Sequence, residues 1–418
     1  MSNRIALASG IALIAAGTAF ATNARVESMG KNATYFMDDV SVWSNPANAN
    51  LYPNYLLGEL GQMRDTGATG NLNGLARFNR DPEKPWFGAI FAKSFSPDAA
   101  AGNRYPQVVI GGAFNREDEW LQYFPKTIKV GSQTSNNTYN VGNFPVKFDG
   151  LLGAATNSGV LLGVKTYLAY GDSTNGNNGQ TSVVSVNTVG ANIPLGQGVD
   201  LELTGTVSFL DASISGDKTY GGDVDPSFGA SARSFISAPQ IFGVIVPAAS
   251  FRSISAPGLS KTEFRIGSGA NVSLDRGFFW LGVDYFNHSG DQNITSAGVA
   301  STVSNFDTLT TITDNGVRVS FGIERNIWTD WFVIRVGGQK IIANRDYSKG
   351  GVSYSDVISN PDRGDDQNDL VSFGFGLNIE DKLKVDAVVA KDILFNGGAL
   401  FGGPVDHVLS RISASYSF

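Results

Sequence analysis

The chain has 418 residues, a net charge of −7, no cysteine and two histidines, and only 17 % of it is charged, against roughly 25 % in average soluble domains. The acidic balance, with no basic patch and no phosphate-cradling glycine loop, argues against nucleic acid and nucleotides as partners. The missing cysteines exclude a disulfide framework, a lipoprotein anchor and a Cys/His metal cluster, and no cofactor is expected.

In chain order, Arg4 precedes an apolar run from Ile5 to Ala16 and then Ala19-Phe20-Ala21, which has the charge, length and small-residue cleavage site of a secretory signal peptide. Residues 1–21 are therefore expected to be removed; a membrane anchor would need roughly 18 or more apolar residues. Beyond it the longest apolar run is Ile241 to Pro247, interrupted by Gly243, so no transmembrane helix is predicted. An exported, glycine-rich chain without a spanning helix is either a secreted all-β protein or a barrel in an outer membrane.

Residues 22–53 do not alternate. They carry Met29, Tyr35, Phe36, Met37, Val40, Val42 and Trp43, too apolar to dangle in water, with a short helix candidate over Met29 to Phe36 before Asn45-Pro46-Ala47. Such a segment ahead of a barrel is predicted to fold into the lumen as a hatch. Pro46 fixes its own φ and disfavours helix at Asn45, so Asn45, Pro46 and Ala47 are predicted to form a fixed turn near the periplasmic rim.

From residue 54 onward the pattern has period 2. Val199, Leu201, Leu203, Val207 and Phe209 alternate with Asp200, Glu202, Thr204, Thr206 and Ser208; Val317, Val319, Phe321 and Ile323 alternate with Arg318, Ser320, Gly322 and Glu324; Leu383, Val385, Ala387 and Val389 alternate with Lys384, Asp386 and Ala390. Long alternating segments with short turns at one end mark membrane strands with an apolar outer face. Strands near 54–63, 72–79, 86–95, 146–156, 160–171, 181–192, 199–212, 260–274, 277–287, 315–325, 330–343, 368–379, 383–395 and 406–418 give an all-β, 14-stranded antiparallel transmembrane β-barrel over 54–418. Long external loops are expected at 96–145, 213–259, 288–314 and 344–367. Residues 107–114 are placed in the first of these, because a further strand would break the even count. Trp86, Trp280, Trp328 and Trp331 lie at or beside short turns, as in an aromatic belt at the periplasmic boundary.

The chain ends on "HVLSRISASYSF", with Val408, Ile412, Ala414, Tyr416 and Phe418 on one parity and Arg411, Ser413, Ser415 and Ser417 on the other. A terminus usually frays. An apolar face that runs to the last residue is expected of a closing strand paired with the first one, which removes both sheet edges.

The stretch "RVESMGKNATYFMDDVSVWSNPANA", with an early Met-Gly, an Asp-Asp about ten residues later and then Asn45-Pro46-Ala47, resembles the N-terminal hatch of the FadL-type long-chain fatty acid transporter superfamily, including its PorV-like branch. Fourteen strands and a terminal Phe418 are similar to that superfamily's barrel. The resemblance implies the outer membrane of a Gram-negative bacterium, surrounding outer-membrane lipid, and a terminal assembly signal at Tyr416 and Phe418 read by the barrel assembly machinery. It implies one of two functions. One is passive uptake of a hydrophobic small molecule such as a long-chain fatty acid; the other is a PorV-like scaffold for a secreted or export-system protein. A general porin is the third reading, disfavoured because a folded hatch would block ionic flow.

If Phe279, Leu281, Val283 and Tyr285 face lipid, then Phe278, Trp280, Gly282, Asp284 and Phe286 face inward, and a hydrophobic ligand is expected between the hatch and Phe278, Trp280 and Phe286. Asp200, Glu202, Glu263, Arg265, Arg318, Glu324, Arg335, Asp386 and Asp392 also fall on the inward parity and read as ion pairs supporting wall and plug. Ile241, Phe242, Val244, Ile245 and Val246 are expected in an external loop, either collecting a hydrophobic ligand or packing on neighbouring loops. No enzyme is expected: His288 and Ser289 are adjacent on a strand and point to opposite faces. Asp362, Asp365, Asp366 and Asp369 read as a solvated acidic loop rather than a calcium site, since their spacing is not that of an EF-hand.

Overall fold

The computed structural model describes residues 23–62, 85–96, 105–125, 127–132, 135–175, 178–214, 225–238, 243–292, 299–301, 310–327, 330–349, 352–358, 370–380, 382–389 and 409–418. In chain order its strands are β1 (Tyr55–Gln62), β2 (Trp86–Ser94), β3 (Gln107–Phe114), β4 (Thr127–Ser132), β5 (Ser135–Asn140), β6 (Val146–Ala155), β7 (Leu161–Asn175), β8 (Asn178–Gly196), β9 (Val199–Ile214), β10 (Ser227–Ala238), β11 (Gly243–Ala256), β12 (Leu259–Leu274), β13 (Gly277–Gln292), β14 (Val299–Ser301), β15 (Thr310–Asn326), β16 (Phe332–Lys349), β17 (Val352–Ile358), β18 (Leu370–Ile379), β19 (Leu383–Val389) and β20 (Leu409–Ser417). All but β4, β5, β14 and β17 form the wall of one closed antiparallel barrel of sixteen strands. β17 and β18 share one edge of β16, β17 along its far half and β18 along its near half.

The alternation explains the wall. On β7, Leu162, Val164, Leu168 and Tyr170 are exposed while Gly163, Lys165, Tyr167 and Ala169 are buried; on β13, Leu281, Val283 and Tyr285 are exposed while Trp280, Asp284 and Phe286 are buried. An apolar exterior around a polar and aromatic interior is the arrangement of a membrane-spanning barrel, where closure satisfies every wall backbone group. Phe418 lies at the seam. β20 pairs with β1 from Tyr55↔Ser417, the Phe418 amide donates to the Asn54 carbonyl at 3.1 Å, and its ring stands edge-on to Phe91 at 5.8 Å. Deleting Phe418 is expected to lower the fraction of chain that reaches the heat-resistant folded form in detergent; an unchanged fraction would show that the seam does not need it.

Four expectations are corrected. The wall has sixteen strands rather than fourteen, because β3, β10 and β11 belong to it, and the expected strand at 72–79 lies outside the described residues. An even strand count places residues 107–114 in a loop, but Val109 and Ala113 are buried while Val108, Ile110 and Phe114 are exposed, which is ordinary wall alternation. β10 is masked in sequence by small residues on both faces, and β11 by three consecutive apolar residues followed by Pro247. The β10–β11 ladder skips the rungs between Arg233↔Ala248 and Ile236↔Ile245, where Pro247 has no amide to donate. Residues 96–145 and 213–259 are therefore not single external loops. Similarly, β13 runs to Gln292, β16 to Lys349 and β17 over Val352–Ile358, shortening the loops expected at 288–314 and 344–367. In the expected belt, Trp331 is exposed at the rim, whereas Trp86 and Trp280 sit on the inward parity and are buried; Trp328 lies outside the described residues. The expected signal peptide also lies outside them.

Candidate functional site

Two segments fill the lumen. The first, residues 23–54, enters from the rim that carries the C-terminus and contains α1 (Asn23–Ser28), α2 (Ser41–Ser44) and two 3-10 turns, Ala33–Tyr35 and Pro46–Leu51. α1 packs on β16, β18, β19 and β20; the second 3-10 turn packs on β6, β7 and β8. α1 ends where Gly30 takes φ +91° and the Lys31 amide reaches back to the Val26 carbonyl at 3.0 Å. A Cβ at Gly30 would also strike the Gly338 backbone, so this position admits only glycine on both counts.

Ion pairs staple this hatch to the wall. Arg25 donates to both carboxylate oxygens of Glu324, at 2.6 and 3.0 Å, and lies 3.5 Å from Asp38. Glu324 also accepts from Arg335, which continues to Asp386 at 2.6 Å. On the neighbouring wall, Arg411 joins Glu27 at 3.0 Å to Glu59 at 2.6 Å. Inside the hatch, burial pushes the Asp38 carboxyl up to about 6 against the pull of Arg25, and burial beside Asp38 pushes Asp39 well above the ordinary carboxylate range; Tyr55 donates to Asp39.

Asn45 is extended, at φ −126° and ψ 99°, and caps the turn that Pro46 begins: its side-chain oxygen accepts from the Ala47 amide at 3.2 Å. Its amide nitrogen donates to Asn192 at 2.7 Å and Glu202 at 3.3 Å, and Glu202 is held by Arg233 at 2.8 Å. The Pro46 backbone rests directly on Gly163, where any side chain would collide with it. Asn45, Pro46 and Ala47 thus lie buried against β7 and β8, close to the C-terminal rim.

Phe278 and Trp280 face inward and meet the hatch. Phe36 lies 6.0 Å from Phe278 and 5.4 Å from Trp280, and Tyr35 lies 6.3 Å from Trp280, seated where Gly269 and Gly282 leave the wall bare. Trp280 is fully buried and Phe278 half-buried against the hatch. Phe286 is not brought together with them. It lies farther along β13, about 20 Å from Trp280 at roughly 3.3 Å per residue, and packs on His288 at 5.0 Å between ring centres. Val244, Ile245 and Val246 are wall residues of β11 rather than an external loop; Val246 is buried in one cluster with Met29, Phe36 and Trp280, and the β10–β11 connection lies on the C-terminal rim. Ile241 and Phe242 lie outside the described residues, as do Asp392 and the acidic residues Asp362, Asp365, Asp366 and Asp369. His288 points inward, while Ser289 pairs with Thr313 at 3.3 Å.

The second segment, around residues 115–145, folds inward from the opposite rim. Trp120, Tyr123, Phe124, Ile128, Tyr139, Val141 and Phe144 form one core with inward residues of β7, β8, β9, β11 and β12. Tyr123 donates to Glu263 at 2.8 Å and Arg252 to Glu119 at 2.6 Å. Asp118 caps the 3-10 turn Glu119–Tyr123; although burial opposes it, Lys165 and Arg116 hold its carboxyl far below the ordinary range. Sequence reasoning did not find this plug. The available signal was the density of aromatic residues between 120 and 144, which exceeds what a solvated loop requires.

Between the two plugs, three inward rungs cross β12, β13 and β15: Glu263, His288 and Asp314; Arg265, Phe286 and Gly316; Gly267, Asp284 and Arg318. Arg318 is paired with Asp284 at 2.8 Å and Glu263 with Lys261 at 2.6 Å. The Arg265 side chain forms no hydrogen bond or ion pair with the described residues.

No family model matches the chain, and no curated protein matches it. Among solved structures, the toluene transporter TodX of Pseudomonas putida is similar over 96 % of this chain and 98 % of its own, at 11 % identity and a TM-score of 0.36. A TM-score that low assigns no substrate and no mechanism to this chain.

Proposed function

We propose that the protein is a passive channel in the outer membrane of a Gram-negative bacterium, taking up hydrophobic small molecules that carry an acidic head, such as long-chain fatty acids. The observation that carries this reading is the lining of the far half of the lumen. Tyr167, Val184, Val186, Leu210 and Ile254 face inward there under the second plug, where the wall of a water-filled pore would present polar groups. Arg265 supports the acidic head, because its partly buried guanidinium, near Glu263 and Asp284 but ion-paired with neither among the described residues, gains from a carboxylate supplied by a ligand. The path in this reading runs from the far-half lining past Arg265 and Phe286 to Trp280 and Phe278, with the second plug displaced at the first step and the hatch at the last. Tyr416 and Phe418 serve as the signal to the assembly machinery.

The test is the lipid that copurifies after gentle extraction, identified by mass spectrometry. Acid-headed acyl chains are expected, and Arg265→Met is expected to weaken binding of a long-chain acid about tenfold or more while leaving a neutral hydrocarbon of equal length unchanged. Equal loss for both ligands would remove the acidic head from the reading. One observation favours the alternative, a scaffold for a secreted or export-system protein: the hatch is stapled by Arg25, Arg411 and Asn45 at three separate places on the wall. No copurified ligand and a stoichiometric protein partner would establish that alternative, and a large steady conductance would favour a porin over both.

A further inference from the structure

Lys165 stands at the only place, among the described residues, where one wall side chain holds both plugs. It is 3 % exposed, and its ammonium donates to the Trp43 carbonyl of the hatch at 2.6 Å and to the Asp118 carboxylate of the upper plug at 2.8 Å. A second link lies beside it. Arg116 of the upper plug donates to Asp118 at 2.7 Å and forms a two-bonded pair with Asp149 of β6 at 2.7 and 2.8 Å, while its guanidinium covers the Trp43 ring at 4.9 Å.

We propose that Lys165 makes the two plugs one latch, so that displacing residues 115–145 from the far rim loosens the hatch around residues 41–52. If the upper plug withdraws, Asp118 leaves with it, while Asp149, freed of Arg116, stays on β6 two residues from Leu151, the cross-strand partner of Lys165. A buried ammonium is held better by a carboxylate than by a neutral carbonyl, so Lys165 turns toward Asp149 and releases the Trp43 carbonyl. Arg116 leaves at the same time and uncovers the Trp43 ring. Linkage makes the effect mutual: an undocked hatch makes the upper plug easier to displace by the same factor. Lys165 is in this sense a positioning residue, and the coupling exists whether or not a ligand passes.

Hydrogen exchange of the full chain in detergent tests it, read at the amides of residues 41–52. The upper plug is loosened by Phe124→Ala with Phe144→Ala, two side chains whose core contains no hatch residue. With Lys165 present, this pair is expected to raise exchange at 41–52 about tenfold; with Lys165→Met the same pair is expected to change it less than about twofold. If the paired substitution does not give a heat-resistant barrel, Phe124→Ala alone or Asp118→Asn takes its place with the same expectation. No rise at 41–52 with Lys165 present, or an equal rise with Lys165→Met, overturns the proposal.

Discussion

Glu324→Leu is expected to undock the hatch while leaving the barrel closed. Glu324 is the shared acceptor of Arg25 from α1 and Arg335 from β16, and all three side chains are nearly inaccessible to water. Removing it takes the shared carboxylate from two buried guanidiniums, leaving Asp38 beside Arg25 and Asp386 beside Arg335, at a cost of about 3–5 kcal/mol, or roughly a hundred- to several-thousandfold in the docking equilibrium. The wall pairs Phe278↔Glu324 and Glu324↔Arg335 are made by backbone and do not depend on the carboxylate. Exchange at residues 23–31 should therefore rise steeply while the heat-resistant band on a gel persists. Glu324→Gln keeps the shape and one acceptor, and should fall between the two.

The wall was largely legible because period 2 is strict wherever one face meets lipid. β9 up to Phe209, β13, β15 and β20 have the facing that their sequences predict, down to Arg411, Ser413 and Ser415 turned inward and Ile412, Ala414 and Tyr416 outward. Where both faces carry small residues, as in β10, or where a proline interrupts the ladder, as in β11, the period fades and the strand is lost. The inward charges Glu202, Glu263, Arg318, Glu324, Arg335 and Asp386 are ion-paired or hydrogen-bonded as their parity suggested. Their hatch partners were not legible: Arg25 sits in a segment without periodicity, and nothing local says that it meets Glu324, 299 positions away. The upper plug was missed for a related reason. Its aromatic residues are spaced irregularly, because they fill a cup formed by five strands rather than one repeating face.

In the proposed transport, hydrophobic ligand passes only when the hatch leaves Phe278 and Trp280. The chain has no cysteine, so a single engineered pair can lock the hatch to the wall. Asn32 and Ser320 suit this, since the Asn32 side chain donates to Ser320 Oγ at 3.2 Å and a short bifunctional methanethiosulfonate can bridge two cysteines placed there. With Asn32→Cys and Ser320→Cys, uptake of a radiolabelled long-chain acid by cells making the protein is expected to fall, when the pair is bridged, to the level of cells lacking it, and to recover on reduction. Uptake at an undiminished rate with the hatch locked would contradict the account.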